Sequence, residues 1–135
     1  MITDLPPCPV ETTLLLISDK WVVLILRDLR TGTKRFNELM RSVTGVSQKV
    51  LTEKLRRMEE NELVERKVYP EVPPRVEYSL TPLGESLAPI LDAMEGWGWG
   101  YKRLVAESAG EGLQHAPDVG VDADPAVPKE RGDVR

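Results

Sequence analysis

Histidine and cysteine are nearly absent from this chain of 135 residues: each occurs once, as Cys8 and His115. A single cysteine excludes an intrachain disulfide and fits a reducing compartment. One histidine and one cysteine cannot build a zinc site of the usual type. His115 lies in the polar C-terminal stretch, so no Ser-His-Asp or Cys-His nucleophile system is expected within the folded body. "GWGWG" at 96–100 has neither the spacing nor the strand-then-helix context of a phosphate-cradling loop. The carboxylates Glu59 and Glu60 are adjacent on a polar helix face, where solvated charge is the plain reading. No enzyme activity, metal or cofactor is expected. Long apolar runs are missing too: nothing approaches the roughly 20 residues of a membrane span. The opening "MITDLPPCPV" has neither the basic start nor the apolar stretch of a signal peptide. The expected location is cytoplasmic.

The net charge of −4 conceals a partition. Residues 106–135 hold seven acidic and three basic side chains, while residues 1–105 hold fifteen of each. Within the body, residues 30–57 carry eight basic and two acidic side chains. Local sign therefore says more about partners than the total does. Residues 106–135 also hold four glycines, three prolines and little apolar periodicity. They are expected to form a disordered acidic tail behind one domain over 1–105.

Pro9–Ile17 reads as a short helix with proline in its first turn. Ser18 or Asp19 is expected to cap the next helix, with Trp21, Leu24, Ile25 and Leu29 as its apolar face. Thr31-Gly32 should end it. Phe36, Leu39, Met40 and Val43 mark a third helix, "TGV" at 44–46 a turn, and "SQKVLTEKLRRMEEN" a fourth helix capped by Ser47. Leu51, Leu55 and Met58 form the buried stripe of that fourth helix. Two helices joined by a short glycine-bearing turn make a helix-turn-helix pattern. Two strands follow, Val64–Tyr69 and Arg75–Leu80, around the stiff tip "PEVPP".

Opposite the stripe on the fourth helix lie Lys49, Thr52 and Arg56, with Gln48 beside them. These residue types reach base edges and phosphates. They sit at the start of the second helix of a helix-turn-helix, where major-groove readers stand. Taken alone this is an ordinary amphipathic helix with a solvated basic face. The preceding turn, the basic segment and the following hairpin favour DNA. The hairpin is then a wing. Its prolines limit the tip's freedom, so less entropy is lost when it docks. Arg75, with Arg66 or Lys67 as further candidates, would meet the backbone or a narrow minor groove. Ser47, Lys34 and Arg35 are candidate phosphate ligands. The bland reading of Pro70, Pro73 and Pro74 is a rigid turn that blunts a sheet edge.

Thr81 and Pro82 open a last helix, expected to run without interruption from 82 to 104 with a kink at Pro89. Leu83, Leu87, Ile90, Met94, Trp97, Tyr101 and Leu104 step alternately by four and three, an a/d seam suited to a partner helix. Gly96, Gly98 and Gly100 weaken that helix and allow close backbone approach. Trp21 and Trp97 are expected in packing, whereas Trp99 falls off the seam. A small-molecule effector stays open, with no polar constellation to mark its site.

"CPVETTLLLISDKWVVLILRDL", "KRFNELMRSVTGVSQKVLTEKLRRMEENELVERKVYPEVPPRVEYSLTPLG" and the helix after them resemble the HxlR-type family of bacterial winged helix-turn-helix regulators, relatives of MarR. The resemblance covers about residues 8–105, with Val46 where the family's recognition helix begins with isoleucine. It implies a mainly α fold with a small antiparallel sheet. It also implies a homodimer built through the N- and C-terminal helices, and cytoplasmic transcription regulation on double-stranded DNA. In several members the cysteine matching Cys8 senses oxidants or electrophiles such as quinones or aldehydes. Cys8 is therefore a sensor candidate, and a cysteine just ahead of a helix faces the positive end of its dipole. The alternative for Cys8 is a small apolar side chain packed in the dimer interface. The rival for the whole chain is a winged helix used as a protein-interaction module without specific DNA readout.

Overall fold

The computed structural model describes residues 1–111, which fall into two units, Met1–Ser86 and a second beginning at Leu87. The first holds α1 (Pro9–Ile17), α2 (Lys20–Leu29), β1 (Lys34–Arg35), α3 (Phe36–Ser42), α4 (Gln48–Glu60), β2 (Val64–Tyr69), β3 (Arg75–Leu80) and α5 (Pro82–Glu85). The second holds α6 (Ala88–Glu111). The fold class is as the sequence implies: helices around a small antiparallel sheet, arranged as a winged helix-turn-helix. The sheet order is β1-β3-β2, with Val64 opposite Leu80 and Tyr69 opposite Arg75. The short β1, absent from the sequence reading, pairs Lys34 with Tyr78 and Arg35 with Glu77.

Asp19, not Ser18, caps α2: its carboxylate accepts from the amides of Trp21 (2.8 Å) and Val22 (3.4 Å). The same carboxylate pairs with Lys54 of α4. Val22, Ile25, Leu26 and Leu29 are the buried face of α2. Ile25 and Leu29 are buried as expected, whereas Val22 and Leu26 are buried in place of Trp21 and Leu24; α2 packs on α4 and β3. Trp21 and Leu24 end half-buried at its rim. Leu39, Val43 and Val46 join from α3 and the turn, Leu51, Leu55 and Met58 from α4, and Leu63, Val64 and Tyr78 from the sheet. Burying one such side chain contributes about 1.5–3 kcal/mol, so this cluster dominates the unit's stability.

The link from α4 into the wing uses an uncommon backbone. Glu62 has φ +60°, a left-handed conformation just after the C-cap Asn61. It turns the Leu63 carbonyl toward Thr81, whose amide donates to it at 3.1 Å. The Thr81 hydroxyl donates to Glu62 O (2.6 Å) and accepts from Gly84 N–H (3.0 Å). Gly84 is buried at this crossing, and a Cβ there would stand 2.2 Å from Leu63 O. The "TPLG" glycine is thus required by close backbone approach, a role its place in the sequence did not disclose.

The last helix differs from expectation. Proline lacks the N–H of an interior residue, so it is tolerated only in a first turn. Pro89 accordingly stands at the second position of a new helix, and no kinked continuous helix forms. Leu83 lies on α5 and Leu87 between helices, so only Ile90, Met94, Trp97, Tyr101 and Leu104 of the seam share α6. Met94, Trp97 and Tyr101 are about half exposed, at 47–51%. Trp97 stacks on Tyr101 with centroids 5.5 Å apart. The helix is intact through Gly96, Gly98 and Gly100 and is described as far as Glu111. The rest of the expected tail lies outside the described residues.

Two expected outcomes follow from these contacts. Gly84→Ala should destabilise the fold by about 1–3 kcal/mol, read as a lower urea midpoint at unchanged slope. Asp19→Ala removes both a cap and the partner of Lys54, and should cost about 1–2 kcal/mol at pH 7. Burial pushes the Asp19 carboxyl up, but Lys54 and the two amides outweigh it and hold it below its usual 3.8. Its stabilising contribution is therefore complete above that value and is lost as pH falls through the lower folded one. Acid titration of both proteins below pH 4 should show their stabilities converging.

Candidate nucleic-acid interface

Burial of Leu51, Leu55 and Met58 turns the opposite face of α4 outward. Gln48, Lys49, Thr52, Glu53 and Arg56 are all exposed there and line one shallow depression. Ser47 holds the start of this surface: its hydroxyl oxygen accepts from Val50 N–H at 3.1 Å. Ser47 donates no hydrogen bond among the described residues. Thr52 Oγ1 donates to Gln48 O at 2.8 Å, so its hydrogen is engaged within the helix. Thr52 therefore offers lone pairs and a methyl group, the latter suited to the thymine methyl.

A second depression joins α4 to the hairpin, lined by Thr52, Arg56, Glu59, Arg66 and Tyr78. It makes the outward face of α4 continuous with the base of the wing. Sequence reasoning did not place Glu53, Glu59 or Tyr78 at this surface. Helical spacing could have found Glu53, one turn after Lys49. Tyr78 arrives only through strand pairing.

The wing holds Arg75 against its own strands. Its guanidinium lies 3.8 Å from the centroid of the Tyr69 ring, with Nη2 3.1 Å from Glu71 Oε2 and Nε 3.6 Å from Glu77 Oε2. Nε is buried and has no hydrogen-bond partner. Arg75 is thus folded onto its own hairpin instead of extended from it. Lys67 also lies over Tyr69, at 5.2 Å, and Arg66 is exposed. Lys34 is half-buried in β1, while Arg35 is exposed at the start of α3, its N–H donating to Glu38 Oε1 (2.7 Å). The structure thus brings Gln48, Lys49, Thr52 and Arg56 together with Arg66, and leaves Lys34, Arg35 and Arg75 on β1 and the wing strand.

Cys8 is the N-cap of α1 and is exposed. Its carbonyl accepts from Thr12 N–H at 3.0 Å. None of the α1 residues is buried, and Val10, Leu14 and Leu15 are exposed. Among the described residues no cluster of His, Cys, Asp and Glu suits a metal, and no helix is long and apolar enough to cross a membrane.

A capped helix presenting polar and basic side chains, preceded by a turn and a short helix and followed by a hairpin, defines a winged helix-turn-helix DNA-binding protein. The model of the HxlR-like helix-turn-helix family matches residues 16–105, and the chain belongs to that family. It is 46% identical over 99 residues to the uncharacterized HTH-type transcriptional regulator YdeP of Bacillus subtilis, covering 73% of this chain and 77% of YdeP. Among solved structures it resembles the redox regulator HypR in its reduced form, with TM-score 0.68 and 44% identity over 75% of this chain and 99% of HypR. It also resembles the reduced transcriptional regulator YodB of B. subtilis, with TM-score 0.61 and 40% identity over 68% of this chain and 91% of YodB. The protein is a transcriptional regulator of helix-turn-helix type.

Proposed function

We propose that this regulator is a cytoplasmic homodimeric repressor that occludes a two-fold symmetric operator. The observation that carries this reading is the outward face of α4, where Gln48, Lys49, Thr52 and Arg56 form one surface continuous with the wing. An α-helix fills the major groove, and side chains at its exposed N-terminal turns reach base edges there. Ser47 and Arg35 contact flanking phosphates, with Lys34 beside them. Arg66 and Lys67 extend the contact to the adjacent backbone. Arg75 stiffens the wing through Tyr69 and reaches phosphate on leaving Glu71. Two copies pair through α1 and α6, which leave Leu14, Leu15, Met94, Trp97 and Tyr101 exposed. Pairing about a two-fold sets recognition helices about 34 Å apart, one turn of B-DNA.

Selection of bound duplexes from a random pool tests this directly. A two-fold symmetric winner whose affinity falls steeply with salt supports the reading. No enriched sequence would favour a protein-interaction module. Arg56→Ala should weaken binding to the winner by about 1–3 kcal/mol and relax preference at one position of each half-site, as measured by titration of labelled operator.

Oxidant or electrophile control through Cys8 completes the proposal. It is supported by the exposure of the thiol at the head of α1 and by the redox regulator among the structural neighbours. Treatment with peroxide or a quinone should change operator affinity, and Cys8→Ser should abolish the change. An undiminished response in Cys8→Ser would assign sensing elsewhere.

A further inference from the structure

We propose that Glu53 is a specificity-determining residue that selects cytosine at one position of each half-site, an inference that rests on α4 lying in the major groove. At 3.6 residues per turn, Glu53 points almost directly away from the stripe of Leu51, Leu55 and Met58. It shares its depression with Gln48, Lys49, Thr52 and Arg56, so whatever those side chains meet, Glu53 meets too. Lys49 stands one turn before it and Arg56 and Arg57 one turn after, all exposed. Even so, the Glu53 carboxylate makes no ion pair or hydrogen bond among the described residues. It is a free acceptor in the middle of a basic reading surface.

An unpaired carboxylate at that place has few tolerable outcomes. Ionised, it accepts hydrogen bonds and cannot donate. Phosphate oxygens repel it, and so do guanine N7 and O6 and thymine O4. Adenine offers its N6 donor beside the N7 acceptor, so one carboxylate oxygen gains what the other loses. Cytosine presents its N4 donor without a neighbouring acceptor on its own edge. The carboxylate is therefore satisfied against cytosine and left desolvated and repelled elsewhere, which discriminates by penalty as well as by attraction. Off the operator, Glu53 lowers affinity for any duplex. It thus widens the gap between specific and non-specific binding that the surrounding cations would otherwise narrow.

The test runs the native protein, Glu53→Ala and Glu53→Gln through one selection from a random duplex pool, with urea unfolding to show that all three are equally folded. Cytosine is expected at one position per half-site in the native winner, preferred about ten-fold. Glu53→Ala should lose that preference while keeping the other positions, and should bind random duplex more tightly. Glu53→Gln, which both donates and accepts, should exchange cytosine for adenine at the same position. Variants that return the native consensus overturn the inference while leaving the major-groove reading of α4 intact. So does a uniform rise in affinity with the consensus unchanged, which would reduce Glu53 to background charge. A native protein that enriches no sequence overturns both.

Discussion

The rotation of α4 about its own axis is the constraint on which the rest depends. Leu51, Leu55 and Met58 bury against α2 and the sheet, and their loss would leave cavities worth about 2–5 kcal/mol each. That energy is far larger than the contribution of any surface contact, so the apolar stripe decides which side chains face outward. Asp19 adds a second fixing point. Its carboxylate caps α2 and pairs with Lys54, which lies on the flank of α4 between the buried and outward faces. One carboxylate therefore ties the start of α2 to α4.

The wing is attached to that helix by backbone as well as by the packing of Leu63, Val64 and Tyr78. After Asn61 the chain takes a left-handed step at Glu62, and Leu63 and Val64 turn inward. The return strand delivers Thr81 back onto the Glu62 and Leu63 carbonyls, and Gly84 permits the approach. The two feet of the hairpin are thus tied together where α4 ends. Its tip is governed separately, by Tyr69, Glu71, Arg75 and Glu77. Stiffness at the tip and anchorage at the feet make the hairpin a preformed element, with little conformational freedom left to lose.

The charge distribution follows the same division of labour. The cations of the basic segment are not spread evenly: Lys54 is spent inside the unit, while Lys49, Arg56 and Arg57 remain outside. Glu53 and Glu59 interrupt the outward row. Such interleaving is unlike a surface evolved only to hold phosphate, where added positive charge is uniformly favourable. It fits a surface where position along the groove matters.

Much of this was readable from one sequence, because the signals are local. The caps Ser47 and Thr81 and the stripe on α4 rest on residues within a turn or two of one another. So do both strands of the wing, with boundaries that agree residue for residue. Those features determined the class of fold and the face of α4 that looks outward. What the tertiary structure decided involves partners distant in sequence. It chose Asp19 over Ser18 because Lys54 is its neighbour, and it buried Val22 and Leu26 of α2 in place of Trp21 and Leu24. It made a third strand from Lys34 and Arg35 because Tyr78 and Glu77 offer free edge groups. It folded Arg75 onto Tyr69, and it required glycine at 84 because the Leu63 carbonyl passes there. The physical reason is the same in each case. Periodicity and capping are set by spacing along the chain, whereas pairing, close approach and the direction of a long cationic side chain are set by what folding brings alongside.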